Sequence, residues 1–234
     1  MKFSNYASRE LKTAWIMAFA FVIAGFLVAF LWEVAAGFTL CGLTVLIWLS
    51  FSMFFRDPER NIPQDPDILV SPADGVVRDI ELVTNAPENE YYEGGNAVRI
   101  GIFLSVLDVH INRAPCDLEV KEITKRKGKY HDARSPQASE ENEAVTMVGQ
   151  AKLEDTGSFT VIVRQISGAI AKRIVCDVQE GATLFKGQRY GMIKFGSRTE
   201  LFFPAKSCFE LTVKVGDRVH AGSTPVLRFN KKAV

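Results

Sequence analysis

Three residues whose types can cooperate in nucleophilic chemistry stand at the ends of apolar runs. Ser197 follows Gly196 at the close of Gly191-Met192-Ile193-Lys194-Phe195, so a hydroxyl sits where an extended segment gives way to a turn. Asp74 lies in the turn-like Ser71-Pro72-Ala73-Asp74-Gly75 just before a β-branched run, and His110 lies in Asp108-Val109-His110-Ile111-Asn112 just after one. Histidine is scarce, at 3 residues, and a carboxylate, an imidazole and a hydroxyl together can form a base-activated nucleophile. Each also has a plainer reading. Gly-Ser is a common turn, Asp74 can hydrogen-bond its own turn, and His110 can be a satisfied histidine at a strand end. No G-x-S-x-G elbow surrounds Ser197, and spacing alone leaves these alternatives open.

Reactive groups need rigid support, and strand ends supply it. Runs rich in β-branched and aromatic residues predict strands at Ile68–Val70, Gly75–Leu82, Ala97–Leu104, Phe159–Gln165, Arg189–Phe195, Glu200–Phe203, Glu210–Val215 and Pro225–Phe229. Ala169–Val175 fits a short helix or a further strand, and Lys127–Ala144, polar and poor in apolar residues, predicts a long loop. Glycines at 181, 187, 216 and 222 punctuate two lipoyl-like hairpins. The expected fold is a mainly β, β-rich α+β domain.

The N-terminus differs in kind. Residues 13–32 and 34–55 are free of charge and are separated by Glu33 alone, and each is long enough to cross about 30 Å of hydrocarbon as a helix. A two-helix transmembrane hairpin over residues 1–56 is therefore expected, with the catalytic domain at 57–234. Lys2, Arg9, Lys12, Arg56 and Arg60 flank the hairpin and the turn between the spans has no Lys or Arg. The positive-inside rule then puts the domain on the cytoplasmic side of the cell (inner) membrane. Residues 56–66, from Arg56 through Pro58, Pro63 and Pro66, read as an extended linker.

Cys41, Cys116, Cys176 and Cys208 are scattered without a C-x-x-C pair, which fits reduced thiols and neither a disulfide framework nor a zinc site. No metal is expected. A net charge of +1 argues against a nucleic-acid partner, although Lys121, Lys125, Arg126, Lys127 and Lys129 form a local basic cluster that suits either anionic headgroups or a solvated strand face.

Seven ordered segments together resemble the phosphatidylserine decarboxylase proenzyme family in its short form. They are Phe55 to Arg60, Ser71 to Gly75, Asp108 to Pro115, Asn142-Glu143, Gln165 to Gly168, Lys186 to Ile193 and Phe195 to Arg198. The resemblance implies self-cleavage at Gly196-Ser197 into a β chain of residues 1–196 and an α chain of residues 197–234. These two chains would form a heterodimer open to further oligomerisation. It also implies that Ser197 becomes a covalent pyruvoyl cofactor, that Asp74 and His110 activate it, and that the substrate is a membrane phospholipid, phosphatidylserine, decarboxylated to phosphatidylethanolamine. Some members carry a second histidine three positions beyond the first, where this chain has Arg113, so either His110 serves both self-cleavage and protonation, or the triad histidine has no equivalent here and Asp74 acts differently. Competing readings are a non-catalytic membrane adaptor with a lipoyl-like domain, which requires a modifiable lysine such as Lys186 at a hairpin tip, and a membrane-bound serine hydrolase.

Overall fold

The computed structural model describes residues 2–84, 87–92, 95–153, 157–169, 173–194, 196–206 and 208–230. Its contacts divide the chain into two compact units, Met1–Pro58 and Glu59–Val234.

The first unit is two helices, α1 (Ser8–Leu31) and α2 (Val34–Phe54), each long and apolar enough to cross a membrane. Glu33, the one charge between them, is the N-cap of α2: its carboxylate accepts from the Ala35 and Ala36 amides at 3.0 and 2.6 Å, satisfying two donors that a helix start leaves open. Small residues let the backbones meet. A β-carbon on Gly37 would stand 2.4 Å from the Gly25 carbonyl oxygen and 2.4 Å from the Ala29 β-carbon. The amides of Ser4 and Asp57 donate to the carbonyls of Phe55 and Lys2, both at 2.9 Å, which ties the two ends of the hairpin together.

The second unit is β-rich. In chain order it contains β1 (Ile68–Val70), β2 (Gly75–Val83), β3 (Ala97–Leu104), β4 (Ile111–Arg113), β5 (Leu118–Arg126), α3 (Pro136–Glu141), β6 (Ala144–Leu153) and β7 (Gly157–Ile166). There follow β8 (Arg173–Cys176), β9 (Thr183–Leu184), β10 (Arg189–Lys194), β11 (Ser197–Pro204), β12 (Phe209–Leu211), β13 (Arg218–Val219) and β14 (Pro225–Phe229). An eight-stranded antiparallel sheet has the order β13-β2-β3-β11-β7-β6-β5-β9, and two three-stranded sheets have the orders β1-β14-β12 and β4-β10-β8. One apolar core joins them, with Leu69 and Leu227 from the first small sheet, Tyr190 from the second, and Ile102, Leu201 and Phe203 from the large one.

The structure departs from the sequence expectations where charge hides a strand. Lys121, Lys125 and Arg126 lie on β5, whose sequence alternates apolar and charged residues because one face is solvated. The basic cluster is largely paired within the chain: Arg126 donates to the carbonyls of Ser139 and Asn142, Lys129 meets Glu141 at 2.7 Å and Lys121 meets Glu119 at 2.6 Å. Within the expected loop, Ser135 caps α3 and Pro136 opens it. The strand expected to Val215 ends at Leu211. Of the Ala169–Val175 stretch, residues 173–175 belong to β8 and residues 170–172 lie outside the described residues, as does Phe195.

Candidate active site

Ser197 opens β11, an interior strand of the large sheet, facing Leu104 of β3 in register, while its neighbour Arg198 faces Ile166 of β7. Side chains alternate along a strand, so Ser197 and Thr199 share the face on which Leu201 and Phe203 enter the core, and Arg198 and Glu200 point the other way. The Ser197 side chain is fully buried, and its hydroxyl has no hydrogen-bond partner among the described residues. Burying such a group unpaired costs about 1–3 kcal/mol, so a strand start with an orphan hydroxyl calls for a reason.

The peptide before it is equally unusual. Gly196 has φ +58, in the left-handed region, with open space where a β-carbon would go. Its carbonyl oxygen packs against Gly168, where a β-carbon would stand 2.2 Å away. The end of β7 thus lies against the Gly196 carbonyl, and the neighbouring Ser167 hydroxyl is buried and also without a hydrogen bond among the described residues.

His110 is fully buried, and its Nδ1 lies 2.9 Å from the Asp108 carbonyl oxygen. A carbonyl only accepts, so Nδ1 carries a proton, and in the neutral ring Nε2 holds the lone pair that a base needs. The His110 carbonyl accepts from the Ile193 amide at 3.2 Å, which sets the residue beside the end of β10 that leads into Gly196.

Asp74 is placed by its turn. Gly75, at φ +150, comes so close to β3 that a β-carbon would stand 2.2 Å from the Phe103 carbonyl oxygen. The Asp74 carboxylate accepts from Arg60 at 2.6 Å and from the Ala221 amide at 2.8 Å, and it lies 3.2 Å from His220 Nδ1. The described imidazole partner of Asp74 is therefore His220. Arg113, at the position of the second family histidine, is buried and donates to the Gly187 carbonyl at 3.0 Å. A guanidinium only donates, so it cannot act as that base.

Asn112 links these pieces. Its amide nitrogen reaches the Thr199 hydroxyl at 3.1 Å and the Pro72 carbonyl at 3.3 Å, and its oxygen accepts from Gln165 at 2.8 Å. One buried side chain thereby registers the strand of Ser197, the turn of Asp74 and the strand that leads to Gly168. Asn112 and Gln165 stand in the motif segments, but nothing in the sequence shows that they meet. For His220 the available signal is its rarity as an imidazole.

On the opposite face of β11 a charged layer fixes the strand. Glu200, fully buried, accepts from Arg198 at 2.8 Å, Arg164 at 3.3 Å and the Ser139 hydroxyl at 2.6 Å. Burial opposes the charge on Arg198, but hydrogen bonds and ion pairs with Asp79 and Glu200 outweigh it and hold its pKa above the ordinary arginine value. Arg164, also ion-paired with Glu88, is pulled below that value by burial despite Glu200. Among the described residues no group of three or more His, Cys, Asp or Glu is arranged to hold a metal ion. The Lys186 ammonium is turned inward to the carbonyls of Asp65 and Ile68, at 2.5 and 3.4 Å, and away from a carrier lysine's exposed position.

An orphan serine hydroxyl joined to a left-handed glycine, with an imidazole and a carboxylate on neighbouring elements, is the residue set of an enzyme with a serine nucleophile. The sequence profile of the phosphatidylserine decarboxylase family matches residues 48–227, so the chain belongs to that family and is a carboxy-lyase. A phosphatidylserine decarboxylase proenzyme of Carboxydothermus hydrogenoformans is 45% identical over 80% of this chain and 83% of its own length. One from the Wolbachia of Brugia malayi is 38% identical over 92% and 90%, and a putative archaetidylserine decarboxylase proenzyme of Methanopyrus kandleri is 42% identical over 77% and 82%. Membership sets aside the adaptor and the serine hydrolase. Decarboxylases of this proenzyme family are generally pyruvoyl-dependent.

Proposed function

We propose that this chain is a membrane-anchored proenzyme that cleaves itself between Gly196 and Ser197 and then decarboxylates phosphatidylserine to phosphatidylethanolamine. The observation that carries the reading is the Ser197 hydroxyl, buried and unpartnered next to a left-handed Gly196. Its oxygen adds to the Gly196 carbonyl as a base accepts the hydroxyl proton, and the C–N bond breaks to leave an ester on Ser197 and a free amine. A base then takes the Ser197 α-proton, and the Gly196 carboxylate leaves by elimination. Water hydrolyses the resulting enamine, through its imine, to a ketone and ammonia.

His110 Nε2 is the proposed base, held in the right tautomer by Asp108, and it later returns a proton to the substrate α-carbon. Asp74, held by Arg60 and the Ala221 amide, supplies negative charge, and His220 is its partner imidazole. Once formed, the pyruvoyl carbonyl supplies the electron sink for loss of CO₂. The α chain, residues 197–234, begins inside the large sheet, where β11 is laddered to β3 and β7, so it remains seated after the cut.

The two helices anchor the domain, on the cytoplasmic side by the charge asymmetry of its flanks, beside a substrate that stays in the bilayer. Relatives named for phosphatidylserine and for archaetidylserine share the serine headgroup, which is the part the chemistry requires.

Intact mass of the denatured protein is the test. Two chains, 1–196 and 197–234, are expected, the shorter one lighter by one ammonia than a peptide starting with serine. A single uncut chain from folded, active protein would sink the proposal.

A further inference from the structure

The turn between β3 and β4 carries an apolar tip on a rigid base. Ser105 donates through both its amide and its hydroxyl to Asp108, at 2.8 and 2.7 Å, and the Asp108 amide returns a bond to the Ser105 carbonyl at 2.9 Å. Arg218 meets the other Asp108 oxygen at 3.1 Å. At the tip, Val106 is 50% and Leu107 76% exposed, and no other two consecutive residues among those described in Glu59–Val234 are large hydrophobics this exposed. The tip is also at the site: Leu104, which precedes the turn, faces Ser197 in register, and His110 follows it.

We propose that the Ser105–Asp108 turn is a bilayer-contacting tip, with Val106 and Leu107 entering the apolar edge of the headgroup layer and the Arg218 guanidinium, half exposed at its base, facing lipid phosphate. The proposal rests on reading the chain as a decarboxylase of a membrane lipid. Two adjacent apolar side chains held in water by three hydrogen bonds and an ion pair gain when hydrocarbon receives them, because apolar surface then leaves water without any loss of the turn's own bonds. A bilayer is the surface within reach of the tether: Arg60, which holds Asp74, follows the last residue of α2 by six positions, a length of chain that extends to about 22 Å at most. A guanidinium beside an apolar tip matches the layered polarity of a membrane interface.

The experiment uses the full chain reconstituted in phosphatidylcholine vesicles containing phosphatidylserine. Protein carrying both Val106→Gln and Leu107→Gln is expected to cleave itself normally and to turn over monomeric dihexanoyl phosphatidylserine at the unsubstituted rate. On long-chain lipid in vesicles it should lose about tenfold or more in kcat/KM, and Leu107→Phe should retain activity. Equal losses on both substrates, or no loss on vesicles, would overturn the proposal, as would a defect seen only in cells, which would make the tip a protein-docking site. A fluorophore at Leu107→Cys, read against identically treated unsubstituted protein, should be quenched by lipids brominated on their acyl chains, and absence of quenching refutes bilayer contact. Quenching without decarboxylation would leave the tip standing and remove the lipid-decarboxylase reading.

Discussion

At the residue scale, the two glycines at the proposed cleavage point, Gly196 and Gly168, act through different physics. Gly196 has room for a β-carbon but sits at φ +58, so Gly196→Ala costs conformational strain of about 1–2 kcal/mol and little packing. Gly168 presses directly on the Gly196 carbonyl, so Gly168→Ala must displace the peptide at which cleavage is proposed. Both variants should fold, Gly196→Ala should mature about tenfold more slowly, and Gly168→Ala more slowly still, as read from the appearance of the short chain on a denaturing gel. The reverse order would mean that the Gly168 contact does not govern the Gly196 carbonyl. The segments holding Ser197, His110 and Asp74 are legible as text because turn and strand-end chemistry is local. Their partners are not: His220 lies 146 residues from Asp74, and Asn112 lies 87 from Thr199.

At the scale of elements, β11 is gripped from both faces. Glu200→Leu removes the acceptor shared by Arg198 and Arg164 and leaves Arg198 to Asp79 and Arg164 to Glu88, a loss expected to cost about 2–3 kcal/mol. Thermal melts of the detergent-solubilised protein should show a lowered midpoint, and Ser139→Ala, which removes one neutral donor to the same carboxylate, should lower it far less. The helix pair depends on Gly37 in a different way, through close approach rather than charge. Gly37→Leu should drive α1 and α2 apart and reduce cross-linking between cysteines introduced on the two helices, while Gly42→Leu, where a β-carbon meets nothing, should leave it unchanged.

At the scale of the whole molecule, the core that unites three sheets also sets a pH limit. Burial pushes the Cys116 thiol up to about 12 from 9.0, and that of the partly buried Cys176 up to about 11. Both stay protonated in the fold, whereas the unfolded chain releases these protons above about pH 9. Their contribution to stability is full below that pH and is lost as pH rises through the folded values. The melting midpoint should therefore fall between pH 9 and 11, and Cys116→Ala should flatten that slope, whatever its effect at pH 7. The same burial predicts slow alkylation of Cys116 in the native protein at pH 8, compared with fast labelling after denaturation.

The sequence by itself determined what depends on composition and local pattern. Two long apolar helices follow from uninterrupted hydrophobicity around a single glutamate, and a β-rich domain follows from short β-branched runs between turns. Family membership was legible from seven ordered segments. Only the tertiary structure decided that Lys121 and Arg126 of β5 find partners within the chain, that Ser197 begins a strand and not merely a turn, and that the imidazole at Asp74 is His220. The physical reason is range: periodicity and turn propensity are properties of neighbouring residues. Hydrogen-bond partners across a sheet are set by strand order and register, where a shift of one residue would turn Ser197 from the core face to the side of Arg198 and Glu200.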